Sequence, residues 1–172
     1  MSHTDAELVE AAKNGDADSF ARLYSRYYKD LYHFALSFLL REAEAEDAVC
    51  TAVTKAFEKL SSLKKNNSFK SWLYHITANE CTEQLRHRTI YLNDNDYAEP
   101  SASETGFGDS EVSALLESLP ERERLILTLS IFSGYNSREI ASILNMKRGT
   151  VRSLKSRALE TLRRQMQGET YD

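Results

Sequence analysis

Apolar positions recur at three- and four-residue spacing along most of the chain and do not alternate over a strand's length, so the pattern predicts helices throughout. A first short helix is predicted over residues 5–14, stopped at Gly15, where a left-handed cap is easily adopted. Phe20, Leu23, Tyr24, Tyr27, Leu31, Phe34, Ala35 and Phe38 then keep helical register for five turns and predict one buried, aromatic-rich face. The third segment carries Ala45, Ala48, Val49, Ala52, Val53, Ala56, Phe57 and Leu60, mostly small, which lets a partner helix approach closely. Residues 61–68 (SSLKKNNS) form a polar loop. The fourth helix, residues 69–88, has a core stripe of Leu73, Ile76, Thr77, Cys81 and Leu85. Its opposite stripe is His75, Asn79, Thr82 or Glu83, and Arg86, which spacing alone leaves open as a solvated face or a binding face.

Residues 89–110 break every period with Pro100, Gly106, Gly108 and many Asn, Asp and Ser. They are expected to be a flexible acidic linker between two units, residues 1–88 and 111–172. The second unit opens with Val112, Leu115, Leu116 and Leu119 on one short helix. Pro120 starts the next, with Glu121 and Glu123 suited to the helix dipole and Leu125, Ile126, Leu129 and Phe132 as its apolar face; Gly134 ends it. Asn136 followed by Glu139 is a capping-box start for a helix with Ile140, Ala141, Ile143 and Leu144. After the turn Asn145-Met146-Lys147, a longer helix points Val151, Leu154, Ala158 and Leu162 inward. Ala141 supplies the small residue that a steep crossing needs, and the pair reads as a helix-turn-helix. The fold class expected is therefore all-α: an N-terminal helical bundle and a C-terminal helix-turn-helix domain.

Charge sharpens this picture. The whole chain is acidic at −4, but residues 145–166 set Lys147, Arg148, Arg152, Lys155, Arg157, Arg163 and Arg164 against Glu160 alone, a net +6. Residues 61–88 carry a net +3, and residues 89–120 a net −7 with no Lys or Arg. Two basic segments separated by an acidic one point to two phosphate-facing surfaces. The last helix offers Arg148, Gly149, Thr150, Arg152, Ser153, Ser156 and Arg157 in its first half. Arginine can reach guanine edges or phosphate, and Gly149 and Thr150 sit where free amides meet a phosphate. The alternative, a basic amphipathic helix that only packs a core, lacks a reason for the turn, spacing and charge to coincide.

Other classes find less support. The longest apolar run, residues 34–40, is too short to cross a bilayer, and Met1-Ser2-His3-Thr4-Asp5 lacks a basic start and an apolar stretch, so no leader or membrane insertion is expected and the cytoplasm is the expected compartment. Cys50 and Cys81 lack metal-ligand spacing and read as two buried thiols. His3, His33, His75 and His87 fall on different faces or ends, and no glycine-rich phosphate loop is present, so no enzyme activity is expected.

The strings ELVEAAKNGDADSFARLYSRYYKDLY, AEAEDAV, FKSWLYHITANECTEQLRHR, LESLPERERLILTLSIFSGYNSREIASIL and GTVRSLKSRALETLRR, in that order, resemble the extracytoplasmic-function (ECF) sigma factors of bacterial RNA polymerase, within the sigma-70 class. The resemblance implies a first domain that binds polymerase and melts the promoter −10 element, and a second that reads the −35 element. It implies RNA polymerase core (β′ and β subunits), promoter DNA and an anti-sigma factor as partners, with no small-molecule substrate and no cofactor. The polymerase contact falls on the helix beginning Ala45-Glu46-Asp47, which docks on a coiled coil of β′; many members follow with Gln and an acid where this chain has Cys50 and Thr51. The promoter-opening loop corresponds to Lys65, Asn66, Asn67, Ser68 and Phe69, with a flipped base held there and against Asn79. His75 lies on the same stripe, Arg86 and Arg88 would hold phosphates, and Trp72 is mainly structural. Arg152, Ser153 and Arg157 match positions facing the −35 duplex. Leu154 and Lys155 have exchanged the family's usual basic and apolar character, moving one phosphate contact to Lys155.

Two other readings stay open on sequence. One is a stand-alone helix-turn-helix repressor with an N-terminal dimerisation or effector module, for which symmetric half-sites are expected. The other is a sigma-like regulator that binds polymerase without opening promoters, kept open by Cys50 and Thr51.

Overall fold

A computed structural model describes residues 3–94 and 110–168. Most of the expected linker, residues 95–109, lies outside the described residues. The first unit holds α1 (Asp5–Lys13), α2 (Ala17–Leu39), α3 (Glu42–Glu58) and α4 (Phe69–Asp94), with two short 3-10 turns, Leu60–Ser62 and Asn66–Ser68, between α3 and α4. The second holds α5 (Ser110–Glu117), α6 (Glu121–Ile131), α7 (Ser137–Leu144) and α8 (Arg148–Met166). All described elements are helical, as the periodicity predicts. The fourth helix continues to Asp94, so residues 89–94 extend α4 instead of opening the linker.

Local signals set most helix ends. Thr4 caps α1 in a capping box with Glu7, the Glu7 carboxylate accepting the Thr4 amide at 2.8 Å. Asn136 does the same for α7, accepting the amides of Arg138 and Glu139 at 3.0 Å each while Glu139 accepts the Asn136 amide. Each box satisfies helix-end donors that otherwise lack partners. α2 ends at Leu40, whose φ of 63° puts a branched residue in left-handed geometry.

In the first unit, Leu23, Leu31, Phe34 and Phe38 of α2 are sealed against Ala45, Ala48, Val49, Ala52 and Ala56 of α3 and Leu73, Thr77 and Cys81 of α4. The alanines let the backbones close up, and each fully buried large side chain contributes roughly 1.5–3 kcal/mol. Thr77 enters this core because its hydroxyl donates to the Leu73 carbonyl at 2.9 Å. Ile126, Leu129, Ile140, Ile143, Val151 and Leu154 fill the second unit.

Three expectations fail at the edges of stripes. Phe57 is 53% exposed and Phe132 44%, because each sits at the end of its helix, where the core face has turned away. Cys50 is exposed, while Cys81 is buried as expected.

The two units pack on each other. Tyr74 of α4 meets Tyr135 edge-on, ring centroids 5.1 Å apart, and Lys70 Nζ lies 5.5 Å over the Tyr135 ring. The Arg124 guanidinium of α6 lies 5.4 Å over the Phe38 ring. Leu40 of the first unit joins Leu116, Leu119, Leu127 and Ala158 of the second in a separate apolar cluster. Tyr74 and Leu127, both at this contact, are buried although they lie outside the single stripes that periodicity assigns to α4 and α6.

Candidate nucleic-acid interface

The helix-turn-helix is built as its sequence predicts. Asn145 takes a left-handed conformation (φ 51°) that stops α7, and the Met146 amide donates to the Ala141 carbonyl at 2.9 Å across the turn. Burial of Val151, Leu154 and Ala158 fixes the rotation of α8. The opposite face then presents Arg148, Gly149, Thr150, Arg152, Ser153, Ser156 and Arg157 to solvent, with Lys155 half-buried at its edge. Arg148, Arg152 and Arg157 make no ion pair among the described residues, whereas Arg163 and Arg164, at the far end, both pair with Glu160. Uncompensated charge is thus concentrated on the half of the helix that a groove would take. The backbone amides at its start lack a side-chain cap, which leaves them for a phosphate.

The second basic surface joins the loop before α4 to the exposed side of α4. Lys64, Lys65 and Asn67 are exposed, and Ser68 is half-buried. A cleft of about 560 Å³ runs from Lys64, Lys65 and Ser68 past Trp72 and His75 to Ser142, Ile143 and Asn145 of the second unit. Trp72 is half-buried and packs on Phe69 at 6.1 Å between ring centroids.

Several residues assigned to this surface are engaged within the protein. Phe69 is only 1% exposed and packs on Tyr27 and Trp72; it anchors the start of α4 and offers no face to a base. Asn66 has its amide oxygen on Lys13 Nζ and its amide nitrogen on Glu10. Arg88 is bound by the Glu44 carboxylate and donates to the Leu39 carbonyl at 2.9 Å, so it ties α4 to the α2–α3 corner and is not placed to hold phosphate. Arg86 remains exposed, held only by the surface carboxylate of Glu83. His75 Nδ1 donates to the carbonyl of Ile143, and its Nε2 accepts from Asn79 Nδ2 at 3.2 Å, an arrangement that suits the neutral imidazole. The polar stripe of α4 is therefore linked through His75 to the end of α7 in this closed arrangement.

A third surface lies on the other side of the first unit. Glu46, Asp47, Cys50, Thr51 and Thr54 form one exposed stripe of α3 that ends at Phe57. Beside it, Tyr24, Tyr28 and Tyr32 of α2 form a ladder, with centroids 5.2 Å and 6.2 Å apart and the last pair stacked. Phe20 and Phe57 meet edge-on at 4.9 Å and close one end. The aromatic half of this face is absent from the sequence-based site. Tyrosines at i, i+4 and i+8 are its signal, but the same residues can be read as the rim of the buried face.

Two family descriptions match the chain: Sigma-70 region 2 over residues 23–90, and Sigma-70, region 4 over residues 109–162. The ECF RNA polymerase sigma-E factor of Escherichia coli strain K12 is 31% identical over 95% of both chains. The ECF RNA polymerase sigma factor SigM of Mycobacterium tuberculosis is 29% identical over 94% of this chain and 84% of its own length. Among solved structures, CnrH in complex with the cytosolic domain of CnrY superposes with a TM-score of 0.76 at 21% identity, covering 96% of this chain and 99% of that one. The sigma factor RpoE of Bartonella quintana, in complex with the anti-sigma factor NepR, gives 0.74 at 25% identity, covering 90% and 100%. With two helical units in this order, an exposed arginine face on the helix-turn-helix and a relative of this similarity along nearly its whole length, the chain belongs to the ECF sigma factors of the sigma-70 class, which direct RNA polymerase to promoters to initiate transcription.

Proposed function

We propose that the three surfaces divide the work of initiation. The α2–α3 face, with Glu46, Asp47, Cys50 and Thr51 beside the tyrosine ladder, docks on the β′ coiled coil of core polymerase. The loop carrying Lys65, Asn67 and Ser68, with Asn79 and Arg86 on α4, engages the −10 single strand; bases drawn from a duplex need polar edges and basic guidance. α8 lies in the major groove of the −35 element through Arg148, Arg152, Ser153, Lys155, Ser156 and Arg157, with Gly149 and Thr150 on a phosphate. Held on one core, two weak DNA contacts gain affinity by effective concentration, so neither domain has to bind tightly alone. The observation that carries this reading is the unpaired arginine set on the exposed face of α8, whose other face is sealed into the second unit.

An anti-sigma factor is expected to hold the protein inactive, since the RpoE neighbour is bound to one. No helix among the described residues is long and apolar enough to cross a membrane, which is consistent with action on a cytoplasmic polymerase. The protein acts by binding, with no covalent chemistry of its own.

The test is reconstitution: core polymerase plus this protein, run-off transcription across candidate promoters including its own upstream region, and permanganate reactivity of −10 thymines. Transcription with melted DNA is the expected result. Core that binds the protein but never opens DNA points to a regulator, and tight symmetric operator binding without core points to a repressor.

A further inference from the structure

Asn66 sits in the middle of the promoter-opening loop, yet its side chain faces α1. Lys13 Nζ donates to the Leu63 carbonyl at 2.6 Å and to Asn66 Oδ1 at 2.8 Å. Asn66 Nδ2 donates to Glu10 Oε2 at 2.7 Å. These bonds fall at the 3-10 turn Asn66–Ser68, which runs directly into α4. The loop is pinned at its ends by Leu63 and Phe69, both buried, and at its middle by α1. Its neighbours Lys64, Lys65 and Asn67 stay exposed. α1 is itself fixed, since Leu8 and Val9 are buried and Asp5 pairs with Arg26 at 2.7 Å and also accepts from the Tyr27 hydroxyl.

We propose that Glu10 and Lys13 are positioning residues for promoter opening: they hold the loop through Asn66 so that Lys65 and Asn67 meet the single strand already arranged. The inference rests on the promoter-opening role proposed above. Its physical basis is preorganisation. A loop ordered before binding does not spend interaction energy on its own ordering when it captures a strand. Lys13 bridges a backbone carbonyl and a side-chain amide with one charged group, and bonds from a charged donor are the stronger kind. Asn66 then acts on DNA only through loop shape.

The measurement is the rate of open-complex formation on a duplex promoter, read by permanganate, for the holoenzyme carrying Lys13→Met, Asn66→Ala, the double variant, Glu10→Gln and Lys13→Arg. Core affinity, −35 binding and thermal midpoint are measured alongside. Each of Lys13→Met and Asn66→Ala is expected to slow opening about three- to tenfold, the range for part-exposed hydrogen bonds with one charged partner. The double variant should be slower than either single but by less than the product of the two losses, because the Lys13–Asn66 bond is shared while Lys13–Leu63 and Asn66–Glu10 are separate. The loss should be equal for all bases at each −10 position, core affinity should not change, and Lys13→Arg should recover most of the rate. Additive losses, a base-specific loss from Asn66→Ala, or no loss at all would overturn the proposal. If Lys13→Met fails to fold, Glu10→Ala against Asn66→Ala gives the corresponding cycle for the Asn66–Glu10 bond. Wild-type holoenzyme that never opens DNA would instead sink the promoter-opening role itself.

Discussion

At the scale of single residues, exposure and partners decide which polar groups remain for ligands. Arg152 is exposed on α8 and makes no ion pair among the described residues, so, with α8 in the −35 groove as proposed, Arg152→Ala should cost about 1–3 kcal/mol at one base-pair position, as loss of an edge contact does. Binding measured across a panel of single-base variants checks this; an equal loss on every sequence marks a phosphate contact. The two thiols should separate cleanly. Burial pushes the Cys81 thiol far up, with Glu80 adding to the shift, and removes it from solvent, while Cys50 lies on the open α3 stripe. A maleimide reagent should modify Cys50 in the folded protein and Cys81 only on unfolding. Core polymerase should protect Cys50 if the α3 stripe is its docking face, and continued labelling in the holoenzyme would remove that residue from the interface. Tyr135 is buried, and its hydroxyl has no hydrogen-bond partner among the described residues. Tyr135→Phe should therefore be neutral or stabilising by up to about 1 kcal/mol in a denaturant titration, since no hydrogen bond is lost.

At the scale of elements, the caps and the turn hold the helix-turn-helix in shape. Asn136 accepts two amides at the start of α7, and α7 fixes α8 through Ile140, Ile143 and Val151. Asn136→Ala should destabilise the second unit by about 1 kcal/mol. A lower thermal midpoint with unchanged core binding is the expected pattern. α2 and α3 behave differently: their interior faces are sealed while their outer faces carry Tyr28 and Phe57, exposed by 40% and 53%. An aromatic surface of this kind, rimmed by Glu46 and Asp47, is costly to leave in water and has the composition of a protein–protein contact.

At the scale of the whole molecule, the two units close on each other at His75 of α4. His75 is held by Ile143, and the cleft beside Trp72 has α7 as one wall. The arginine face of α8 stays open in the same arrangement. Freeing His75 and the cleft beside Trp72 requires α4 and α7 to part, which the Tyr74–Tyr135 contact opposes, while Lys65, Asn67, Asn79 and Arg86 are exposed as the units stand. A compact chain of this length has a radius of gyration of roughly 16 Å. Small-angle scattering of the free protein should fall near that value, and Tyr135→Ala should raise it while lowering stability by about 3 kcal/mol. A wild-type radius already well above it would mean that the units are separate in solution.

Much of this protein was legible from local order along the chain. The helical period, the capping boxes at Thr4–Glu7 and Asn136–Glu139, the Asn145 turn and the inward triad Val151, Leu154 and Ala158 depend on residues a few positions apart, where sequence and geometry are nearly the same thing. The arginine face of α8 follows from that triad alone. What the tertiary structure decided is how polar and aromatic groups were spent across long separations. Asn66 met Lys13 from 53 residues away, Arg88 met Glu44 from 44, and His75 met Ile143 from 68. Tyr74 packs on Tyr135 and Leu127 clusters with Leu40, each a residue of the other unit, and Phe57 became surface because α3 ends there. A hydrogen bond or a buried ring is settled by whichever group folding brings within a few ångströms, and no spacing rule along one helix carries that information.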